Sequence, residues 1–349
     1  MAGDKRPAPA ALTQHGLLLS QTKYFGGGEM KVSFVVIGKN EATTLERCLQ
    51  SVINAIAVNH LEAELLYVDS QSTDKSLELA GKYCRAFLIK GKCNAAIARN
   101  IGAREAAGET LIFLDGDMEL MADFLPLILT DEGALIYPFV SGNFINYYYD
   151  TSGNFLSKDY YRKIFCDEDT YQPTTGGLFA ITRQLWDEVG GMRPKFKRGQ
   201  DLDLGYRLAQ RGILLLRKKD TMAIHHTVDY KYSARMWKDL LSGSGMYARS
   251  VLYRSHWNNI YVLKRMLSSD PTLIVLLFSI ALALVLHPWL PLAFYLMITL
   301  AAVAYSMRKA FTFLFFERYI VQLLRDMQML GGFFFFYPSN KVKYIYEEC

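Results

Sequence analysis

The first part of the chain alternates short apolar runs with segments of helical periodicity. The run VSFVVIG, from Val32 to Gly38, is rich in β-branched residues and is typical of a buried strand. The segment after it places Leu45, Leu49 and Val52 three or four residues apart, as in a helix with one apolar face. The pattern therefore predicts a strand followed by a helix.

The same alternation continues along the chain to LIFLDGDMEL. Strands are predicted in ELLYVDS, AFLIKG and TLIFLDGD, and helices in STDKSLELAGKY and NAAIARNIGAREAAG. Repeated strand–helix units favour a mostly parallel sheet with helices on both faces. We therefore expect an α/β fold with a Rossmann-like sheet.

Three of the predicted strands end in polar residues, in the segments GKNE, DSQS and DGD. In open α/β sheets, ligands bind in the crevice beyond the carboxyl ends of the strands, so these side chains are expected to face one cleft. The first strand is followed by neither a G-x-G-x-x-G turn nor a phosphate-binding P-loop. Phosphate must therefore be held in another way.

A second kind of pattern begins near residue 270. The chain from Pro271 to Met307 contains no Asp, Glu, Lys or Arg, and the segment HPWLP interrupts it. This pattern predicts two apolar helices, at about 272–287 and 289–307, which form a transmembrane hairpin. Lys and Arg flank both outer ends, so both flanks are expected on the cytoplasmic side.

The segments on either side of the hairpin are amphipathic. Residues 231–270 mix aromatic side chains with Arg and Lys, which is typical of helices lying in the headgroup region, although an ordinary packing helix is the alternative. Residues 310–338 contain charges that are costly at bilayer depth, so an interfacial helix is expected there, and a third span remains open.

The expected organisation therefore has four parts. Residues 1–29 are a flexible tail or leader, 30–230 an α/β domain, 231–270 amphipathic interfacial helices, and 271–349 a membrane region. The net charge of +5 favours anionic lipid over nucleic acid as a partner, because no recognition motif accompanies it. The five cysteines lack C-x-x-C spacing, so free thiols and no zinc site are expected.

Two carboxylates follow the fourth predicted strand directly. Asp115 and Asp117 are separated by one glycine, so both can reach a hard divalent cation while the strand before them stays buried. A solvated Asp-Gly turn is the alternative. A second carboxylate pair, Asp201 and Asp203, opens a predicted helix, where it could simply stabilise the helix dipole.

The order of these motifs resembles the family 2 glycosyltransferases of the GT-A fold. The resemblance covers about residues 31–230 and includes VVIGKNE, VDSQSTD, ARNIGAREAAGE, FLDGD, TTGG and GQDLDLGYRL. It implies a GT-A catalytic domain that transfers a sugar from a nucleotide-diphosphate sugar, with UDP favoured and GDP possible. It also implies Mn²⁺ or Mg²⁺ as the cofactor.

The resemblance carries specific roles onto this chain. It implies that Asp69 binds the nucleotide base, with Asn40 and Glu41 in the same pocket. Asp115 and Asp117 would bind the ribose, the metal or the diphosphate, since hard oxygen ligands suit Mg²⁺ and Mn²⁺.

Other roles concern the acceptor and the chemistry. Asp201 occupies the place of the general base that takes the proton from the acceptor hydroxyl, so the sugar centre would invert. Gln200 stands where the family usually has a glutamate. Thr175 and Gly176 would shape the acceptor side, with Gly permitting close backbone approach.

Three further side chains are candidates with open alternatives. His225 and His226 follow a short apolar run and resemble the place where some relatives supply an imidazole to the metal or diphosphate. A structural role is the alternative for either histidine. Arg99 could reach the diphosphate or could lie on an exposed helix surface.

The sequence also limits the type of transfer. The fragment ARMW lacks the glutamine of the Q-x-x-R-W motif of processive synthases, so addition of a single sugar is expected. The favoured acceptor is a hydroxyl of a polyprenyl-linked glycan at the cytoplasmic face of the inner (plasma) membrane, in polysaccharide or glycoconjugate assembly. Transfer onto polyprenyl phosphate and a catalytically silent sugar-nucleotide-binding scaffold are the alternatives, and the sequence does not set the oligomeric state.

Overall fold

The computed structural model describes residues 30–229, 232–308 and 314–349. The tail or leader expected at 1–29 lies outside these residues. The amino-terminal half forms the strand–helix units predicted from the sequence. Their bounds are β1 (Val32–Gly38), α1 (Leu45–Val58), β2 (Ala63–Asp69), α2 (Ser76–Ala80), β3 (Arg85–Gly91), α3 (Ala95–Glu105) and β4 (Thr110–Asp115).

The chain then adds shorter strands around the end of β4. These elements are β5 (Met118–Leu120), a 3₁₀ helix (Ala122–Leu127), β6 (Phe139–Tyr149), β7 (Phe155–Tyr160), β8 (Thr170–Gln172), β9 (Phe179–Thr182), α4 (Arg183–Val189), α5 (Gln200–Gln210) and β10 (Leu215–Val228). The described strands form one sheet in the order β11-β3-β2-β1-β4-β9-β6-β10-β5, with β7 on β6 and β8 on β10.

The α/β fold class predicted from the sequence is confirmed. Strands β3, β2, β1 and β4 are all parallel, as the strand–helix repeat requires. Beyond β4 the sheet is mixed, because β9 is antiparallel to both β4 and β6, while β6 and β10 are parallel. The parallel character is therefore concentrated in the half of the sheet that carries the first three polar strand ends.

Each face of the sheet has its own hydrophobic core. In β1, Phe34 and Val36 pack with α1 on one face, and Val35 and Ile37 pack with α3 on the other. A strand buried on both faces needs a continuous apolar sequence, which VSFVVIG supplies. The polar residues after each strand therefore lie beyond the core, at the carboxyl edge.

Helices make up most of the carboxyl-terminal part. They are α6 (Tyr232–Leu241), α7 (Ser244–Met246), a π-helical turn (Tyr247–Val251), α8 (Leu252–Ser255), α9 (Ile260–Ser269), α10 (Pro271–Ala283), α11 (Trp289–Ser306) and α12 (Leu314–Phe335). Helices α10 and α11 pack against each other, and both contact α12.

Only part of this helical region is long and apolar enough to cross a membrane. Among the described helices, α11 meets this test alone, whereas α9 and α10 meet it only as a pair bent by 93°. Helix α10 ends at Ala283 and not near residue 287 as predicted, and the stretch around His287 and Pro288 forms the connection to α11. The first apolar helix of the hairpin is therefore shorter than expected.

The end of the chain corrects the expected domain boundary. Residues 344–348 were expected in the membrane region, yet they form β11 (Tyr344–Glu348), which is antiparallel to β3 at the edge of the sheet. Arg85 forms an ion pair with Glu348, and the ring of Phe87 packs edge-on against Tyr346. The chain thus leaves the α/β domain after β10 and returns to its opposite edge.

Candidate active site

The Asp-Gly-Asp turn lies at the carboxyl edge of the sheet, where the sequence predicts it. The backbone N–H of Gly116 donates to the carbonyl of Ile37 at 2.9 Å, which fixes the turn against β1. After the turn, β5 pairs with β10 and places His225 opposite Met118. The turn is therefore held between the end of β1 and the far end of β10.

Asp115 pairs with a buried guanidinium. Nη2 of Arg99 donates to Oδ1 of Asp115 at 2.5 Å and to the carbonyl of Gly177 at 3.1 Å. The Arg99 side chain is 1% exposed, so the alternative of an exposed helix surface does not apply. Its Nε and Nη1 are buried without a hydrogen-bond partner among the described residues.

Gly177 is the glycine that makes the close backbone approach expected of the T-T-G-G segment. A Cβ at this position would lie 2.2 Å from Oδ2 of Asp115 and 2.9 Å from Nη2 of Arg99. A Cβ on Gly176, the glycine chosen from the sequence, would meet nothing within 4 Å. The prediction for Gly176 is therefore corrected to its neighbour.

His225 faces the second carboxylate of the turn. Its Nε2 lies 3.2 Å from Oδ2 of Asp117, and its Nδ1 lies 2.8 Å from Oδ1 of Asn146. Because Nδ2 of Asn146 donates to the Tyr148 hydroxyl at 2.9 Å, the Asn146 oxygen is the atom that faces the imidazole. The Nδ1 atom of His225 therefore carries a proton, and although burial opposes the charged ring, the hydrogen bond with Asp117 and the charge of Asp117 raise the pKa of His225.

The sequence left open which of the two adjacent histidines faces the predicted metal site, and His226 has other partners. Its Nε2 is 2.6 Å from Oε1 of Glu119, and its Nδ1 is 2.8 Å from the Tyr149 hydroxyl. Neighbouring residues of a strand point to opposite faces, so only one of the two can face Asp117. His226 belongs to a structural cluster with Glu119 and Arg47.

The site offers two groups to a divalent cation. Within the described part of the chain, no group of three or more His, Cys, Asp or Glu side chains is placed to hold a metal ion. Asp117 has one buried oxygen, Oδ1, without a partner, and its other oxygen faces His225. A carboxylate and an imidazole fit an ion that takes its remaining oxygen ligands from a bound diphosphate.

The predicted base lies close to the Arg99–Asp115 pair. Asp201 is in the first turn of α5, and burial raises the pKa of its carboxyl, while the nearby charge of Arg99 partly opposes this. Two neighbours of the base also have buried polar atoms without a partner, Oε1 of Gln200 and Oγ1 of Thr175. Asp201 thus lies within electrostatic range of both Arg99 and Asp115.

The loops after β1 and β2 are hydrogen-bonded to each other. Oδ1 of Asn40 accepts from the backbone N–H of Thr73 at 2.7 Å, and the N–H of Asn40 donates to Oγ of Ser72 at 2.8 Å. Asn40 has a φ of 59°, a left-handed conformation that Asn tolerates well. The two loops therefore form one hydrogen-bonded rim.

Asp69 is held within this rim. The residue is fully buried, its Oδ1 accepts from the N–H of Ser72 at 2.6 Å, and its Oδ2 accepts from the Tyr67 hydroxyl at 3.1 Å. Glu41 packs against Gly116 of the turn. Burial and the nearby Asp117 raise the pKa of Glu41 to about 7, so this carboxyl is about half protonated at neutral pH.

Residues 33–198 match the family model for glycosyl transferase family 2. The matched range begins in β1 and ends just before α5. It contains Asp69, the Asp-Gly-Asp turn, Arg99 and Gly177. This part of the chain is a glycosyl transferase family 2 domain.

This chain is similar to two proteins that are named as N-acetylgalactosaminyltransferases. It is 25% identical over 249 residues to polypeptide N-acetylgalactosaminyltransferase 3 of Drosophila melanogaster, covering 61% of this chain and 37% of the relative. It is 30% identical over 188 residues to N-acetylgalactosaminyltransferase 6 of the same organism, covering 46% and 28%. The chain therefore spans less than two-fifths of the length of these relatives.

The chain was also compared with solved structures. A crystal structure of GalNAc-T7 with UDP, GalNAc and Mn²⁺ superposes with a TM-score of 0.46 and 20% identity, covering 59% of this chain and 45% of that chain.

The carboxyl-terminal part of the glycosyltransferase is attached to the helix that carries Asp201. Asp203 is fully buried and accepts from Nε of Arg207, Nη1 of Arg193 and Nε2 of His256. Nδ2 of Asn259 donates to the carbonyl of Tyr206 at 2.9 Å. Asp203 is therefore more than an N-terminal charge, because it anchors the segment that follows α8.

The start of α5 contacts residues that precede α8. Gly199 has a φ of 78°, and a Cβ there would lie 3.1 Å from Cβ of Ala248 in the π-helical turn. Arg198, one residue earlier, forms an ion pair with Asp239 at 2.7 Å. The position of the predicted base therefore depends on residues that lie between the α/β domain and the apolar helices.

Sequence reasoning missed several residues of this site. Asn146 is a polar residue in the aromatic strand β6, and it lies directly across from His225. A polar residue within the apolar and aromatic run FINYYY could have indicated a functional position. Gly177 lies beside the glycine that was chosen, and His256 gave no signal because a single histidine in a basic segment has many roles.

Proposed function

We propose that this glycosyltransferase moves a single sugar from a nucleotide-diphosphate sugar to a hydroxyl of a polyprenyl-linked glycan, with inversion and with a divalent metal ion. The observation that carries the donor half is a set of buried polar atoms, on the segments around the Asp-Gly-Asp turn and at the start of α5, that have no hydrogen-bond partner in the described part of the chain. They are Nε and Nη1 of Arg99, Oδ1 of Asp117, Oγ1 of Thr175 and Oε1 of Gln200. Native proteins rarely leave such atoms unpaired, so a polar ligand accounts for them.

Asp117 and His225 would hold Mn²⁺ or Mg²⁺, which when bound neutralises the charge that develops on the leaving diphosphate. Asn146 keeps the His225 proton on Nδ1 and so leaves Nε2 available as a ligand. Asp115 keeps Arg99 in place, and the unpaired nitrogens of Arg99 can donate to donor oxygens. The donor side would thus have two cationic groups, the bound metal ion and Arg99.

The rim formed by the loops after β1 and β2 suits the nucleotide. Asn40, Glu41 and Asp69 all lie on or beneath this rim. UDP is the favoured nucleotide, and GDP remains possible, because Asp69 offers acceptor oxygens to either base once its contact with Tyr67 or Ser72 is exchanged. The preorganised rim reduces the loss of loop entropy on binding.

Asp201 would act as the general base. Its raised pKa makes the carboxylate a better proton acceptor than an ordinary aspartate, and Gln200 and Thr175 can orient the acceptor hydroxyl. The hydroxyl oxygen then bonds to the anomeric carbon from the face opposite the diphosphate, its proton passes to Asp201, and the diphosphate leaves. The anomeric centre inverts in this single displacement.

The acceptor proposal comes from the carboxyl-terminal helices. Apolar side chains of α10 and α11 are exposed on their outer faces, including Phe278, Leu284 and Trp289. Their exposure fits a hairpin embedded in the cytoplasmic face of the inner membrane, in contact with membrane lipids. Because the segment joining them to the domain also contacts α5, a lipid-borne acceptor would arrive beside Asp201.

A second acceptor class has support from the relatives, since one of them is named for transfer to polypeptides. The lipid acceptor is supported by the hydrogen bond between His256 and Asp203, because His256 belongs to the segment that leads from the base helix to the apolar helices. Transfer onto polyprenyl phosphate itself remains a different reaction. Its acceptor is already an oxyanion and does not require Asp201 as a base.

The test is the thermal stability of the detergent-purified full chain with UDP, GDP, CMP or dTDP, each with and without Mn²⁺. We expect one nucleoside diphosphate to stabilise the protein only with Mn²⁺, and Asp117→Asn to abolish the effect. If no nucleotide changes the melting temperature, the donor proposal fails and the silent scaffold becomes the better account. Deleting residues 231–349 with no loss of transfer to a soluble sugar acceptor would count against the lipid acceptor.

A further inference from the structure

An apolar cavity lies where the π-helical turn, α8 and α9 pack against α10 and α12. It has a volume of about 90 Å³ and is lined by residues of the π-helical turn, α8, α9, α10 and α12. Its floor contains Tyr253, Leu273 and Met329, all of which are buried. At its mouth, Leu277 is 40% exposed and Phe333 is 37% exposed, so the cavity opens onto the apolar outer surface of the helices.

The cavity is continuous with the packing of the base helix. Tyr206 of α5, Tyr253, Leu273 and Met329 belong to one hydrophobic cluster, and Met266 packs against it. Tyr206 is five residues after Asp201, which corresponds to about 8 Å along a helix. An apolar group in the cavity would therefore lie close to the proposed base.

A cation stands between the cavity and the base. Arg265 precedes the cavity residue Met266. Burial raises the pKa of two tyrosines, Tyr206 of α5 and Tyr253 of the cavity, and the charge of Arg265 acts to lower both pKa values. Nε of Arg265 is buried and has no hydrogen-bond partner among the described residues. The other nearby arginines differ, because Arg249 and Arg325 both pair with Asp270.

The size of the cavity fits a short piece of hydrocarbon. An engineered protein cavity of roughly 150 Å³ accommodates benzene, so about 90 Å³ suits roughly four carbons. This is close to one branched isoprenoid unit. An apolar site of this size next to an available guanidinium matches a molecule with an anionic head and a hydrocarbon chain.

We infer that this cavity binds the first isoprenoid unit of a polyprenyl diphosphate and that Arg265 binds its phosphate. The inference rests on the proposed function, since it assigns the place where the lipid of the acceptor enters. The remaining chain would leave through the mouth at Leu277 and Phe333 along the outer face of the hairpin. The glycan would then extend from the phosphate along α5 to Asp201.

The experiment uses the full chain in detergent and a farnesyl diphosphate that carries a diazirine on its first isoprene unit. After irradiation, we expect the label on peptides that contain Met266, Leu277 and Phe333. Inorganic diphosphate should compete with the probe, because both use Arg265. Phosphatidylglycerol at the same concentration should compete at least tenfold less well.

Two tryptophan substitutions on α10 provide a matched pair. Leu277→Trp fills the mouth of the cavity and should reduce labelling about tenfold, whereas Ile280→Trp, at a site that is 43% exposed and does not line the cavity, should change it less than twofold. Arg265→Gln should weaken binding of the probe about tenfold, and Arg265→Lys should restore part of it. Both Trp variants should keep the stabilisation by nucleotide and Mn²⁺.

Label spread over the outer hairpin face and insensitive to Leu277→Trp would overturn the inference, as would equal competition by phosphatidylglycerol. Either result with the nucleotide effect intact leaves the donor proposal standing. If nucleoside diphosphate and Mn²⁺ do not stabilise the wild-type chain, the result counts against the proposed function itself. The two failures are therefore distinguishable.

Discussion

The contact between Gly177 and Asp115 makes a quantitative prediction. A Cβ at Gly177 would lie 2.2 Å from Oδ2 of Asp115, whereas real Cβ contacts are almost never below 3.0 Å. In Gly177→Ala the carboxylate must therefore move by about 1 Å. A displacement of this size in an active site lowers the reaction rate by on the order of 100-fold. The move also weakens the bond to Arg99, and an unpaired buried donor costs about 1–3 kcal/mol.

The assay is the stabilisation of the protein by nucleoside diphosphate and Mn²⁺. At a ligand concentration of about 100 times Kd the wild-type protein gains about 2.7 kcal/mol. If Kd rises about 100-fold in Gly177→Ala, the gain at the same concentration falls to about 0.4 kcal/mol. For a domain of about 200 residues these values correspond to roughly 5–10 °C and about 1 °C in melting temperature.

Gly176→Ala is the matched control, because a Cβ there meets nothing within 4 Å. We expect this neighbouring substitution to change stability by less than about 0.5 kcal/mol and to leave the nucleotide effect in place. If Gly177→Ala is stabilised by nucleotide as strongly as Gly176→Ala, the Arg99–Asp115 pair does not position the donor. The geometric argument would then be wrong.

Three other predictions follow from the same site. Asp201→Asn should retain nucleotide binding and lose transfer by about 100-fold or more; substantial remaining transfer would favour polyprenyl phosphate as the acceptor. In the wild type, kcat/KM should rise with pH through a value above about 3.9, because burial raises the pKa of Asp201 and only its ionised form accepts a proton; a rising limb at or below 3.9 would contradict this. His225→Gln should raise the Mn²⁺ requirement about tenfold or more, and His226→Gln should not. Equal effects of the two would remove the metal assignment.

A stability prediction concerns Asp203. Although burial opposes the charge, the hydrogen bond from His256 and the charges of Arg207 and Arg193 lower the pKa of Asp203. A lowered folded pKa contributes stability that is present above the unfolded value of about 3.9 and is lost as pH falls through the folded value. The free energy of unfolding of the wild type, measured from melting curves, should therefore decrease in acid as Asp203 is protonated. Asp203→Asn should lack this stabilisation at every pH.

The sequence was sufficient for those parts of the protein in which local pattern and burial agree. VSFVVIG is buried on both faces of the sheet, and the polar residues after it stand at the edge, as the apolar run predicts. The Asp-Gly-Asp turn was predicted from the same logic, because charges cannot follow a strand into a core. These features depend on neighbours in the sequence.

Features that depend on partners distant in sequence were not predictable in this way. The choice between His225 and His226 depends on the pairing of β10 with β5 and β6, and the choice between Gly176 and Gly177 depends on where Asp115 lies. The return of residues 344–348 to the sheet depends on the free edge of β3. The five residues YIYEE carry no local signal for pairing with a strand that lies about 250 residues earlier in the chain.

The two attachments of the helical region have a mechanical consequence. Between β10 and β11 the chain is bound to the α/β domain through His256 on one side and through β11 on the other. A helical region joined to the domain at one flexible point could rotate relative to it, whereas two separated attachments restrict that rotation. For a hairpin embedded in a bilayer, as proposed above, two such attachments would hold the proposed active site at a fixed height above the lipid surface and would limit which part of an acceptor glycan it can reach.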